Sequence, residues 1–495
     1  MKKLTKVFCL MLIAVLLVPL VAACGNNASS RGYDFYIFNT KGENADALQA
    51  AVDAYEKQTG LTIKVFSLGS GTDSSETLRA DMNSKNKPAI FSVMSIQELA
   101  EWKEGGFVMD LNSATEASFK ALHDAIPENL RLTTNGTDSY GVPYNVEGYG
   151  YIADKKVIGA LFGEANVDNF IADFKTASYD EFEAMVLGLD TFIKDGTSTT
   201  VTLSGKSYAL ASEKNDIAKK LNGVFAVAGS EKWTYGDHLI NIPIDTVFAN
   251  PAAAAAATDA QVDTLRSSLI AYAKVLDLKS SHAAGANGPL ERGAEYINST
   301  TSNYDAEVQN FAEGKAVFVK QGNWVYTNLQ KANASVVEQL TFLPIKMPFA
   351  DSDIKVEGLT VDKINSSIPV FVPNYYAINA KVTDQEKKMA QDFLVWLNTS
   401  EAGKKFIIED MAFIPYNADP ATTTLPNTLG QSILEYIKSG NTITNAYAGA
   451  PRSWSGDTVG LKIMEDYLTK KDWTQKDYED IADYAIAKWK EMRSK

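Results

Sequence analysis

The chain has 495 residues, with 47 basic and 61 acidic side chains, a net charge of −14 and 45% hydrophobic content. That balance excludes disorder and a disulfide framework, and three scattered histidines (His123, His238, His282) with two cysteines argue against a zinc or iron–sulfur site. Nucleic acid is not an expected partner either, because phosphate contacts need clustered Lys and Arg.

At the N-terminus, Lys2, Lys3 and Lys6 precede an apolar run over 7–21, followed by Ala22-Ala23-Cys24-Gly25. A basic start, a short apolar stretch and small residues at the cut define an export signal over 1–23. The run is too short for a membrane span, which needs about 20 apolar residues. Val21-Ala22-Ala23-Cys24 resembles the lipobox of bacterial lipoproteins, which implies lipidation at Cys24; the alternative is a plain secretory cut near Ala23. Cleavage discards Cys9 and three lysines, leaving 44 basic against 61 acidic side chains and a net charge of −17. Cys24 is then the sole cysteine, so stability rests on core burial without an internal disulfide. Residues 24–32 read as a polar tether, and a two-chain lipid holds a protein stably where one chain is marginal. The expected location is a bacterial cell surface, on the outer face of the cytoplasmic membrane.

Strand and helix signals then alternate. A strand is expected over 33–38, a helix over 47–58 stopped by Gly60, a strand over 61–67, a helix over 76–83, a strand over 89–93, and a helix over Ile96–Glu104 ending at Gly105-Gly106. This β-α-β-α order predicts an α/β fold with a mostly parallel sheet covered by helices. Later helices carry their own start signals: Thr258-x-x-Gln261, Thr383-x-x-Glu386 and Thr474-x-x-Asp477. No repeat of solenoid length is present, and no long Pro/Ser linker separates independent units.

Several kinds of chemistry are missing. No Gly-x-Ser-x-Gly elbow occurs. Gly205-Lys206-Ser207 imitates the end of a phosphate loop, yet Thr200 stands where the first glycine belongs. Gly69-Ser70-Gly71 lacks the third glycine of a dinucleotide fingerprint, since Ser74 occupies that slot. No cofactor or metal is expected.

Four segments together resemble the extracellular solute-binding lipoproteins of ABC importers, in the subgroup that captures carbohydrates. They are 61–93, a strand, a Gly/Ser loop, a helix and a second strand; 140–154 (YGVPYNVEGYGYIAD); 311–329 (FAEGKAVFVKQGNWVYTNL); and 368–416, with PVFVPNYYAIN, TSEAGKKF and MAFIPY. The resemblance implies a two-lobe periplasmic-binding-protein-like fold, with hinge crossovers and a cleft between the lobes. Lobe one is expected at 31–143 plus 346–410, and lobe two at 144–345 plus 411–495. It also implies a monomer that binds a carbohydrate, delivers it to an ABC permease and performs no catalysis.

Sugar faces suit aromatic rings, and their hydroxyl rims suit carboxylates, amides and Arg. Trp324 follows Gln321-Gly322-Asn323 at a strand-to-helix turn, where the family often places a stacking Trp; a core Trp is the other reading. Trp233 stands in the polar run EKWTYGDHLIN with His238 and Asn241, each a candidate contact or a structural residue. Glu147 and Tyr149 follow the first crossover, so Glu147 reads as a hydroxyl acceptor or a hinge salt bridge. Arg452 and Trp454 lie in GAPRSWSGD, as lid contacts or as a clamp that packs the loop. Asn39 and Lys41 follow the first strand, Ser70, Thr72 and Asp73 the second, and Ser95 and Gln97 the third, at the strand ends where α/β sheets collect ligands. Trp396 and Trp489 read as core. Two other classes stay open: a secreted glycoside hydrolase, which needs two carboxylates facing each other across a cleft, and a binding protein for a non-sugar solute.

Overall fold

Two sheets organise the protein. The computed structural model describes residues 31–69, 75–94, 96–134 and 137–493. The expected signal, Cys24, most of the tether, Asp73 and Ser95 lie outside the described residues.

The smaller sheet has five strands in the order Ile63–Ser67, Phe35–Asn39, Ile90–Val93, Tyr375–Ile378, Val142–Pro143. Its first three are parallel, as the β-α alternation predicts, and Tyr375–Ile378 runs antiparallel between its two neighbours. Every residue of Phe35–Asn39 is buried. Side chains alternate across a strand, so Phe35 and Ile37 pack with the helices Ala45–Thr59, Ala117–Asp124 and Asp384–Thr399. Tyr36 and Phe38 pack on the other face, with Leu78, Leu99 and Trp102 from the helices Ser75–Asn83 and Ile96–Glu104. Burial on both faces is what lets a parallel strand read as a continuous apolar run.

The larger sheet has eight strands, centred on Glu147–Asp154. That strand pairs antiparallel with Ala316–Gly322, Leu340–Leu343 and Ile368–Phe371, so this sheet is mixed. Gly150 permits the crowding: a Cβ there would sit 2.6 Å from the Leu343 carbonyl.

The capping boxes form as the sequence predicts. Thr383 and Glu386 bond reciprocally at the head of Asp384–Thr399, and Thr258 and Gln261 do the same before Asp259–Asp263. The periodic run after Thr258 divides into two helices, Asp259–Asp263 and Arg266–Ser281. Among the described residues, no helix is long and apolar enough to cross a membrane.

The chain passes between the sheets at 144–146, 372–374 and 411–414, and these passages lie side by side. The Tyr144 N–H donates to the Asn374 carbonyl (2.9 Å), and the Val146 N–H donates to that of Ile414 (2.8 Å). The passage expected at 346 falls later. Met347, Phe349, Ile354 and Ile364 pack into the larger core, and Ile368–Phe371 pairs with Glu147–Asp154, so the return to the smaller sheet waits until Tyr375.

Candidate functional site

The space between the sheets is built from the ends of their strands. After Phe35–Asn39, Asn39 folds onto its own loop. Its Oδ1 accepts from the Lys41 N–H (3.0 Å), and its Nδ2 donates to the Lys41 carbonyl (3.1 Å) and to Ser67 Oγ (3.0 Å). Asn39 therefore shapes the loop and has little left to offer a ligand. The turn presents Lys41, whose Nζ reaches Glu147 Oε1 of the larger sheet at 2.5 Å and Glu43 Oε1 at 3.5 Å. Asn145 Nδ2 adds a hydrogen bond to the same Glu147 oxygen at 3.1 Å. Burial pushes the Lys41 ammonium down, but the two carboxylates outweigh it and leave its pKa above the usual lysine value. Burial raises the Glu43 carboxyl, against the pull of Lys41. Lys41 and Glu147 thus come together as an ion pair between the two sheets.

Beside this pair lies a cage of rings centred on His238. Its imidazole is 4.8 Å from Tyr149, 4.8 Å from Trp324, 5.4 Å from Trp233, and 6.4 Å from both Phe371 and Tyr447. Burial, reinforced by the charges of Lys320 and Lys41, holds its pKa well below the usual histidine value, so the ring is neutral at pH 7. His238 Nδ1 and the Trp233 indole N–H are buried without a hydrogen-bond partner among the described residues. Such a group costs about 1–3 kcal/mol until something satisfies it. Trp324 is half-buried, its indole N–H donating to Gln321 Oε1 at 2.9 Å. Tyr149 is fully buried and forms the wall behind His238, its hydroxyl donating to Asn445 Oδ1 at 3.3 Å.

Three expected contacts go elsewhere. Trp454 is 0% exposed; its indole N–H donates to the Ala485 carbonyl at 2.8 Å and its ring packs on Trp489 at 4.6 Å, so it anchors its loop in the core. Asn241 spends its amide on structure, donating to Asp245 Oδ2 (2.9 Å) and the Thr444 carbonyl (3.0 Å) and accepting from the Tyr447 N–H (3.0 Å). Arg452 is partly exposed and pairs with Glu101, which also binds Arg79 (2.6 Å), so it links the rims of the two halves. Lys331 and Asp46 meet across another rim at 3.6 Å.

Sequence reasoning missed Phe371, Tyr447, Tyr304 and Glu43. Tyr304 lies 6.0 Å from Trp233 and closes the cage on that side. Glu43 is the easiest to recover, standing two residues beyond Lys41; Tyr447 carries no local signal at all. A surface depression of about 710 Å³ lies between 159–164 and 209–217, and no residue of the cage lines it. Among the described residues, no group of three or more His, Cys, Asp or Glu is placed to hold a metal ion.

A family model described as bacterial extracellular solute-binding protein matches residues 50–427. Solved structures share the fold. A raffinose complex of the solute-binding protein RafE aligns with TM-score 0.60 and 16% identity, over 93% of this chain and 99% of its own. A chitin oligosaccharide binding protein aligns with TM-score 0.61 and 15% identity over the same shares, 93% and 99%. The maltotriose-bound maltose/maltodextrin-binding domain of Bdellovibrio bacteriovorus aligns with TM-score 0.54 and 14% identity, over 93% of this chain and 100% of its own. No curated protein sequence matches the chain significantly.

Proposed function

The chain belongs to the bacterial extracellular solute-binding proteins, and from that premise we propose that it captures a carbohydrate, in the oligosaccharide size range, for an ABC importer. The observation that carries this reading is the cage: rings set around a neutral imidazole, with the Trp233 N–H and His238 Nδ1 unpartnered among the described residues. Aromatic faces cover the C–H faces of a sugar, and a hydroxyl both donates and accepts, so one polyol satisfies both kinds of unpaired atom. An alkyl ligand would fill the cage but leave both polar atoms unsatisfied. The sugars named for the structural relatives support the same class.

In this reading the two halves are lobes that turn about 144–146, 372–374 and 411–414, and the sugar is held between Trp324 and Trp233. Lys41 and Glu147 join the lobes beside it and meet its hydroxyls. No covalent step takes place, and the sugar leaves unchanged. The protein acts as a monomer, exported by residues 1–23 and anchored through a lipid on Cys24, and it hands its ligand to the permease at the membrane surface.

A thermal-shift panel of mono- and oligosaccharides tests this, because a ligand that binds only the folded state raises Tm. At least one oligosaccharide should raise Tm in the wild type and fail to do so in Trp324→Ala. A response to non-sugar solutes alone, or recovery of the sugar as shorter products, would overturn the proposal.

A further inference from the structure

Behind the cage, a buried polar relay runs away from Trp324. The Gln321 amide accepts from the Trp324 indole N–H at 2.9 Å and donates through Nε2 to Glu307 Oε2 at 2.5 Å. Gln321 and Glu307 are both 0% exposed, and Glu307 Oε1 has no partner among the described residues. Donor chemistry fixes the direction of this relay. An indole N–H can only donate, so Gln321 must turn its carbonyl oxygen to Trp324 and its NH2 the other way. That NH2 requires an acceptor, and a carboxylate oxygen supplies one. A donor or an apolar group in its place would leave the amide unsatisfied or invite it to flip, setting NH2 against the indole N–H.

The ring is fixed on a second side by the backbone. A Cβ at Gly322 would lie 2.0 Å from the Trp324 ring, so the indole rests directly on that glycine. Burial pushes the Glu307 carboxyl up to about 7 against the pull of Lys279 and Lys320. Lys320, itself held well below the usual lysine value by burial, donates to the Thr234 carbonyl in the short helix Trp233–Gly236 that carries the other cage tryptophan.

We propose that Glu307 is a positioning residue: it never touches the ligand, and it fixes the plane of Trp324 by dictating the orientation of the Gln321 amide. Its consequence for affinity rests on the carbohydrate reading above; its effect on the indole does not.

The test follows the tryptophan indole N–H resonances of the 15N-labelled full-length chain, with the Trp324 signal assigned by its loss in Trp324→Phe. Glu307→Gln keeps an acceptor, whereas Glu307→Met keeps the length and removes it. Hydrogen exchange of the Trp324 indole should be slow in the wild type and in Glu307→Gln, and at least tenfold faster in Glu307→Met. The Trp454 indole, bonded to the Ala485 carbonyl, should not change. Gln321→Met, which cuts the relay in the middle and leaves Glu307 in place, should reproduce the acceleration. Unchanged Trp324 exchange in Glu307→Met, or equal acceleration at Trp454, would overturn the proposal. Titration with raffinose, maltotriose and chitotriose separates the two readings. If one of them binds the wild type, its affinity should fall at least tenfold in Glu307→Met and recover in Glu307→Gln. If all three are inert while the exchange difference persists, the carbohydrate reading fails and the positioning role stands.

Discussion

Trp454 and Trp324 both follow Gly-containing loop sequence, yet they end in opposite environments. Trp454 is sealed against Trp489 with its N–H satisfied by a main-chain carbonyl. Trp324 keeps part of its ring uncovered and spends its N–H on a side-chain amide backed by a carboxylate. The difference teaches that the hydrogen-bond partner separates a sealed packing tryptophan from one with an uncovered ring better than loop composition does. A satisfied main-chain bond inside a closed core is an end in itself. A side-chain relay beside unpaired polar atoms holds a surface ready for something else.

The largest effect should come from the packing side. Trp454→Ala should lower the unfolding free energy by about 3–5 kcal/mol, measured by denaturant titration, while the folded fraction keeps its sugar affinity. An equal loss of affinity would erase the contrast. Trp324→Ala should do the reverse, weakening sugar binding by roughly 2–3 kcal/mol in calorimetry, with a smaller stability loss than Trp454→Ala.

Asp237 joins the two regions, since it lies between Trp233 and His238 in sequence and its Oδ1 accepts from the Gly456 N–H at 2.7 Å. Burial pushes its carboxyl up to about 6, although that hydrogen bond and one from Ser455 pull it down. The folded state therefore keeps a proton that the unfolded chain releases near pH 4. Stability is lost from this group as pH rises from about 4 to 6, and stays lost above that. Asp237→Asn should remove that loss, gaining on the order of 1–2 kcal/mol relative to wild type between pH 4.5 and pH 7 in urea titrations. A gain in the opposite direction would mean that the carboxylate is stabilised where it sits. The smallest effect should belong to Arg452→Ala, which breaks a partly exposed ion pair worth about 0–1 kcal/mol and should change affinity less than about fivefold.

Much of the fold was legible because its signals are local. The β-α alternation, the glycine stop at Gly60 and the capping boxes at Thr258 and Thr383 depend on neighbours within a few residues. The late return to the smaller sheet was not, because the place of Ile368–Phe371 is decided by pairing with a strand more than two hundred residues earlier. The site divides in the same way. Trp324, Lys41 and Glu147 stood out at strand ends and the first crossover, and Trp233 and His238 in the polar run EKWTYGDHLIN. Trp454 could not be told apart from them, since its partner Ala485 lies on the last helix, Gln475–Arg493. Asn241 looked available because its partners, Thr444 and Tyr447, are distant in sequence.

The central claim is that the ring cage around His238 binds a sugar and leaves it intact. It is tested most directly by calorimetric titration of the purified protein with raffinose, maltotriose and chitotriose, followed by mass analysis of the recovered ligand. The account predicts saturable binding of at least one sugar, loss of that binding in Trp324→Ala, retention in Trp454→Phe, and recovery of the sugar unchanged. Binding that survives Trp324→Ala, no heat with any sugar, or recovery of shorter products would contradict it.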